Sequence, residues 1–386
     1  SGGRMPAAHG HAEGEMAFEE ILDHEGAKRI LAALLRADRI PGALLFHGPG
    51  GVGKTRTALA FARALLCEQG GEQVPCGDCP SCRKALKLLH PDLRFLFPLP
   101  GGKPEEGESE EAEMLRSYAA DPYAVIQFDR FVSIPIERLR ELKRQAQMRP
   151  VEGRRKVFVL RDADRMLELQ QNALLKVLEE PPADTHFILT TARPQALLPT
   201  IVSRCLRVSF GPLPRALLIE QLMSERGLER TRAELAAGMA EGSLAEAMFL
   251  AGEDVGKVRD QALDLLRAAE TGGPALHAAA QALAGAKDRG LVRRLALALA
   301  VWHGDLVRVR AGSTEVVNVD RRAELEQMAG RLGLERLRNR ITLLTEFLES
   351  LDQNANLSVA VYGLLAGLGR PELAREVLLP VGPVTT

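Results

Sequence analysis

Gly48-Pro49-Gly50-Gly51-Val52-Gly53-Lys54-Thr55 fits the pattern G-x-x-x-x-G-K-[ST] at every position. A short apolar run, Ala43-Leu44-Leu45-Phe46-His47, enters it behind Pro41-Gly42, and a helix beginning near Lys54 leaves it through Ala58, Leu59 and Ala62. A strand turning through glycines into a helix brings inward-pointing N–H groups and the positive end of a helix dipole to one place, which is a seat for phosphate. Gly48, Gly50, Gly51, Val52 and Gly53 supply the backbone of that seat. Lys54 would reach the β- and γ-phosphates of ATP or ADP, and the Thr55 hydroxyl would hold Mg²⁺. A glycine-rich turn that binds nothing is the competing reading, and the strand and helix on either side argue against it.

The surroundings extend the same pattern. Lys156-Val157-Phe158-Val159-Leu160 and His186-Phe187-Ile188-Leu189-Thr190 are nearly continuous apolar runs, as strands buried on both faces require. Between them Leu169, Ala173 and Val177 recur every four residues and predict a helix facing the core, stopped by Pro181-Pro182. Alternating strands and helices from Phe18 to Phe210 predict a parallel sheet with helices on both sides. After Gly211-Pro212-Leu213-Pro214 no strand pattern remains. Three short helices are expected over 215–252 and longer ones over 260–370, where Leu337, Ile341, Leu344, Leu348 and Leu351 form an apolar stripe. Residues 101–120 carry six glutamates against one lysine and one arginine and read as a mobile acidic surface insertion, a solvated loop.

Lys+Arg of 50 against Asp+Glu of 51 excludes a polybasic DNA-coating protein. The longest apolar run, Leu295–Trp302, is eight residues, far short of the roughly 20 of a membrane span. Residues 1–17 are expected to be a disordered N-terminus or tag, with Met5 or Met16 as native starts; no export signal is expected, and the location is read as cytoplasmic.

Four of the five cysteines, Cys67, Cys76, Cys79 and Cys82, fall within sixteen residues. In a reducing compartment such a cluster argues for a closed structural Zn²⁺ site, with a redox-active dithiol as the alternative. Cys205 stands apart and reads as a buried apolar residue. Hydrolysis of a nucleotide also requires acids after a second strand. Val157-Phe158-Val159-Leu160-Arg161-Asp162-Ala163-Asp164 is that segment, with Arg161 where the first acid is expected; Asp162 is left as a degenerate metal-binding acid, or as an ordinary solvated carboxylate.

The glycine loop, the four cysteines, the run Asn172 to Pro182 (NALLKVLEEPP) and Ser203-Arg204-Cys205, in this order, resemble the bacterial clamp-loader AAA+ subunits from about Phe18 to Leu368. The resemblance implies an α/β AAA+ P-loop domain with a parallel sheet and zinc knuckle (18–210, knuckle 67–82), an all-α lid (211–259) and an all-α C-terminal collar (260–375). It further implies a hetero-oligomeric ring of five chains that places a sliding clamp on primed DNA. Arg204 would then be an arginine finger acting in trans on a neighbour's ATP. Ala245, in Gly242-Ser243-Leu244-Ala245, stands where motor subunits carry a sensor arginine, and Thr190 and Thr191 match the sensor region of the third strand. With Arg161 and Ala245 in those places, weak or absent ATPase activity and a non-motor role are expected. An ATP-hydrolysing motor subunit and a DNA-touching zinc-knuckle protein are the alternatives.

Overall fold

The computed structural model describes residues 18, 21–69, 74–100, 104–120, 132–252, 254–286, 288–352 and 356–370. The expected disordered segment 1–17 lies outside them. Helix α1 (Glu25–Ala37) precedes strand β1 (Ala43–His47), which passes through the glycine loop into α2 (Lys54–Leu66). α3 (Pro80–Leu86) follows the cysteine cluster and leads into β2 (Leu93–Leu96). A two-stranded antiparallel pair, β3 (Leu99–Pro100) and β4 (Val132–Ser133), brackets α4 (Pro104–Ala120). α5 (Ile136–Ala146), β5 (Lys156–Leu160), α6 (Glu168–Glu179), β6 (Thr185–Thr191), α7 (Pro199–Val202) and β7 (Leu206–Ser209) complete the α/β part.

Five strands form one parallel sheet in the order β2-β5-β6-β1-β7, with Leu45 of β1 opposite Leu189 of β6 and Phe158 of β5 opposite Phe187 of β6. β5 and β6 are buried at every position, as their unbroken apolar sequences require. Alternation divides their side chains between two faces. Leu45, Phe158, Leu160, Phe187 and Leu189 pack with Leu139 and Leu142 of α5, Leu174, Val177 and Leu178 of α6, and Ile201 of α7. α2 packs on β1, β5 and β6. The glycine loop and the segment after β5 therefore lie at the same, C-terminal end of the sheet, where parallel α/β folds place their ligands.

Two expectations are corrected here. α6 forms as expected, but its inward face is Gln170, Gln171, Leu174, Val177 and Leu178, while Leu169 is 74% exposed. Gln171 is admitted to the core because its amide donates to the Met166 and Ala196 carbonyls and accepts from the Leu198 N–H. A hydropathy pattern counts glutamine as surface and so rotates the stripe. The acidic segment 101–120 is also not a loop from residue 104 onward: α4 occupies it. Met114 and Tyr118, four residues apart on one helix face, are buried against Phe95 and Phe97, and that anchorage outweighs the glutamate-rich composition.

The structure divides into two compact units, one of residues up to Leu213 with Ser243–Ala245, the other of Pro214–Gly242 with the chain from Glu246. Among the described residues the second unit is helical throughout: α8 (Arg215–Arg226), α9 (Arg230–Met239), α10 (Leu244–Gly252, its first two residues in the first unit), α11 (Val255–Thr271), α12 (Gly273–Gly285), α13 (Arg289–Arg310), α14 (Arg322–Arg331), α15 (Leu334–Asp352) and α16 (Leu357–Gly369). α11 runs unbroken through the lid–collar boundary drawn at 259/260. α13, carrying the buried Leu299, Trp302 and Leu306, packs against α11, α14 and α15. In α15 Leu337, Leu344 and Leu351 are buried as the stripe predicts, joined by Leu343, Phe347 and Arg340, whose guanidinium pairs with Glu270 at 2.8 Å. No helix among the described residues is long and apolar enough to cross a membrane.

Candidate functional site

Gly48, Gly50, Gly51, Val52 and Gly53 lie in one loop that runs directly into the thirteen-residue α2, whose first two residues are Lys54 and Thr55. Gly48 has φ 143°, and a Cβ there would lie 2.0 Å from the Phe210 carbonyl oxygen, so only glycine lets the loop pass that backbone. Gly53, at φ 109°, makes the turn into the helix. His24, edge-on to Phe210, brings its Nε2 to 2.8 Å from the Val52 carbonyl oxygen and fixes the far side of the loop. The Ala245 N–H donates to the Gly51 carbonyl at 3.1 Å.

Lys54 is buried and donates from Nζ to the Gly48 carbonyl at 2.7 Å and to the Pro49 carbonyl. Burial lowers its pKa to about 8; Asp162 and Asp164 pull it up and Arg161 pushes it down. The tertiary fold therefore brings the segment after β5 within electrostatic reach of the lysine, as the sequence reading requires. The left-handed glycines, the free helix N-terminus and the lysine fit a nucleotide's phosphates.

After β5, Arg161 sits where a first acid is expected. Its guanidinium lies 4.3 Å over the Tyr118 ring, and its Nε is 3.3 Å from Asp162 Oδ2. The Asp162 N–H donates to Thr190 Oγ1 at 3.1 Å, and its carboxylate is partly exposed. Asp164 is engaged elsewhere: it accepts from Thr191 Oγ1 at 2.8 Å and from Arg193 Nε at 3.0 Å, with its side chain buried. Of the two acids, Asp162 is thus the one free to approach a metal ion, with a guanidinium against it.

The Sγ atoms of Cys67, Cys76, Cys79 and Cys82 lie within 4.8 Å of one another, with Cys76 and Cys82 3.9 Å apart. Tetrahedral Zn–S bonds of ~2.3 Å put sulfurs ~3.8 Å apart, so the donor set fits a closed thiolate site. Two turns form it: the Cys79 N–H points at Cys76 Sγ (3.4 Å) and the Cys82 N–H at Cys79 Sγ (3.3 Å). The first of these bonds holds the Cys76 thiol down at about 7, while burial pushes Cys82 up. Cys205 is buried with its thiol pushed up to about 12, which agrees with an inert core residue.

Arg204 follows α7 on the surface. It donates from Nη1 to the Thr200 carbonyl at 2.8 Å and pairs through Nη2 with Glu179, the last residue of α6. Sequence reasoning passed over that partner. It also passed over Asp92, fully buried, which accepts from the N–H groups of Val151, Glu152 and Gly153 at 2.7 to 2.8 Å. His90, given no role from the sequence, accepts on Nδ1 from the Asp92 N–H, and its Nε2 lies 3.2 Å from Ser81 Oγ, which donates to Glu68. That chain of bonds ties the knuckle helix α3 to the sheet. A His-Pro-Asp turn ahead of a strand was the only signal available.

A five-stranded parallel sheet carrying a glycine loop and a lysine opposite two acids defines a P-loop α/β protein of the AAA+ type. Residues 23–214 match the family described as DNA polymerase III, delta subunit. The chain is 32% identical over 227 residues to the DNA polymerase III subunit delta' of Bacillus subtilis, covering 58% of each chain. It is 31% identical over 258 residues to subunit tau of Escherichia coli, covering 64% of this chain and 35% of that one. With subunit gamma/tau of Mycobacterium bovis the identity is 34% over 205 residues, covering 52% and 30%. The chain thus spans less than two thirds of each of these relatives. A gamma subunit-related protein of solved structure from Thermotoga maritima aligns over 88% of this chain and 98% of its own, at 17% identity and a TM-score of 0.37, too loosely to add to the topology. On these matches residues 23–214 of the chain belong to the DNA polymerase III clamp-loader subunit family.

Proposed function

We propose that this chain is a stator of the delta-prime type: it holds its neighbours in register and does not itself burn ATP at a useful rate. Overall identity does not separate the possibilities, since 31 to 34% is shared with delta', tau and gamma/tau relatives alike. The observation that carries the choice is Arg161, a guanidinium held against Asp162 by an aromatic ring and a 3.3 Å contact. A cation there repels a metal ion and neutralises the acid that would bind it. Ala245 offers the loop a backbone N–H and no side-chain cation.

Under this reading Gly48 to Thr55 hold ATP or ADP, with Mg²⁺ at Thr55, as a structural ligand. Cys67, Cys76, Cys79 and Cys82 hold a structural Zn²⁺ that staples the knuckle. The chain works in the cytoplasm as one of five in a ring with gamma/tau- and delta-type subunits, through which it meets the sliding clamp and primed DNA; residues 211–259 act as lid and 260–375 as collar. Arg204 reaches a neighbour's ATP and stabilises the charge that spreads over the transferring phosphoryl group. The partly exposed Asp162 carboxylate favours one other reading, a motor subunit that binds Mg²⁺ through Asp162 and Thr55.

ATP turnover of the pure chain, measured beside the reconstituted loader with clamp and primed DNA, separates the two. The stator turns over negligibly alone, and Arg204→Ala depresses turnover of the assembly while leaving this chain folded. DNA-stimulated turnover by the solitary chain establishes the motor reading instead.

A further inference from the structure

Glu179 occupies a place that helix electrostatics alone does not favour. It is the last residue of α6, where the negative end of the helix dipole repels a carboxylate. Glu180 and Pro181-Pro182 follow, so no further turn shields it. Across from it lies the Arg204 guanidinium.

Both ends of the pair stand on the same rigid base. Val177 and Leu178, next to Glu179, are buried in the core that also contains Ile201 of α7 and Cys205. Cys205, pointing inward, pins the residue before it, and Ser203 Oγ donates to the Thr200 carbonyl at 3.2 Å to close the turn. Arg204 is therefore a side chain on a fixed root, gripped at two points: Nη1 on the Thr200 carbonyl and Nη2 on Glu179. A guanidinium has five N–H donors in one plane, so two grips set the plane and leave other donors free. Its side chain keeps 31% of its exposure.

We propose that Glu179 is a positioning residue for Arg204. It fixes the plane and reach of the guanidinium before a neighbouring subunit arrives, so that little rotamer freedom is lost when the arginine meets that neighbour's transferring phosphate. This rests on the trans role of Arg204 given above. The Thr200 carbonyl and the Glu179 carboxylate together do for this arginine what outer hydrogen-bond partners do for a metal ligand: they hold the group that does the chemistry in one orientation.

The test uses the reconstituted loader with clamp and primed DNA and four versions of this chain: Glu179→Gln, Glu179→Asp, Arg204→Ala and the double variant Glu179→Gln/Arg204→Ala. Thermal unfolding of each purified chain confirms that it folds. Glu179→Gln is expected to lower kcat for ATP about three- to tenfold with KM little changed, less than the 10³-fold or more that a trans arginine supplies. Glu179→Asp restores most of that loss, and in the Arg204→Ala background Glu179→Gln adds nothing. If Arg204→Ala depresses turnover but Glu179→Gln leaves it unchanged or raises it, the positioning role is overturned and the finger stands. An equal loss from Glu179→Gln with and without Arg204 also overturns it, because the effect then passes through the fold alone. If Arg204→Ala has no effect, the finger reading itself fails.

Discussion

Replacing Asp92 by alanine removes a fully buried carboxylate that accepts three backbone N–H bonds, from Val151 at 2.7 Å and from Glu152 and Gly153 at 2.8 Å. Hydrogen bonds to a charged group contribute about 1.5–3 kcal/mol each. The turn that carries these donors is partly exposed and water recovers part of each bond, which brings the loss to about 1 kcal/mol per donor and about 3 kcal/mol in all. For a unit of this size each kcal/mol corresponds to about 2–4 °C in Tm, so a fall of about 6–12 °C is expected. Burial alone would raise the Asp92 pKa; the three N–H donors and His90 more than offset it and hold the carboxyl below its usual range. A depressed folded pKa means that the stabilisation is fully present above the unfolded value of about 3.9 and is lost as pH falls through the folded one. The gap between wild type and Asp92→Ala should therefore be constant from pH 5 to 8 and shrink only below about pH 4. Thermal unfolding at fixed zinc, followed by circular dichroism, reads both units together; fluorescence of the single tryptophan, Trp302, reads the second alone, so the first unit's transition is the part of the ellipticity change that the fluorescence does not follow. A loss below about 1 kcal/mol at pH 7, or a gap that widens toward acid, refutes this account of the anchor.

Cys79→Ser should take bound zinc from one per chain to near none by elemental analysis and lower the first unit's Tm, because a structural metal's binding free energy is folding free energy; a zinc-free wild-type protein would sink the assignment. Lys54, held near pKa 8 by burial, should make nucleotide affinity fall about tenfold between pH 7 and 9 as the ammonium is lost, a dependence absent in Lys54→Ala. Titration with a fluorescent ADP analogue reads both, and a flat profile in the wild type counts against Lys54 as the phosphate ligand. In α6, Leu174→Ala should cost about 2–4 kcal/mol in denaturant unfolding and Leu169→Gln within ~0.5 kcal/mol of nothing. Equal costs would contradict the face that the structure assigns to the core.

Much of the fold was legible because its signals are local. The glycine loop, β1, β5 and β6 are runs in which each residue's backbone freedom or apolarity states its own environment, and the close cysteine spacing likewise announces that four thiols meet. Legibility ended where a polar residue is buried with partners distant in the chain. Gln171 reaches carbonyls at 166 and 196, Asp92 reaches N–H groups at 151–153, and Arg340 reaches Glu270, which hydropathy scores as surface in each case. The helix α4 was hidden for the converse reason: its glutamates dominated the composition, while its anchor on Phe95 and Phe97 depends on contacts outside the segment.

The amino-acid order alone determined that a glycine loop of the phosphate-seat pattern sits between a strand and a helix, that four thiols share one short stretch, and that an arginine follows β5 where the pattern expects an acid. Those are properties of neighbours along the chain. Only the folded arrangement decided that Arg161 lies on Tyr118 beside Asp162, that Asp164 is consumed by Thr191 and Arg193, and that Arg204 shares its charge with Glu179. Electrostatic and hydrogen-bonding partners are chosen by distance in space, and a parallel sheet joins strands far apart in sequence.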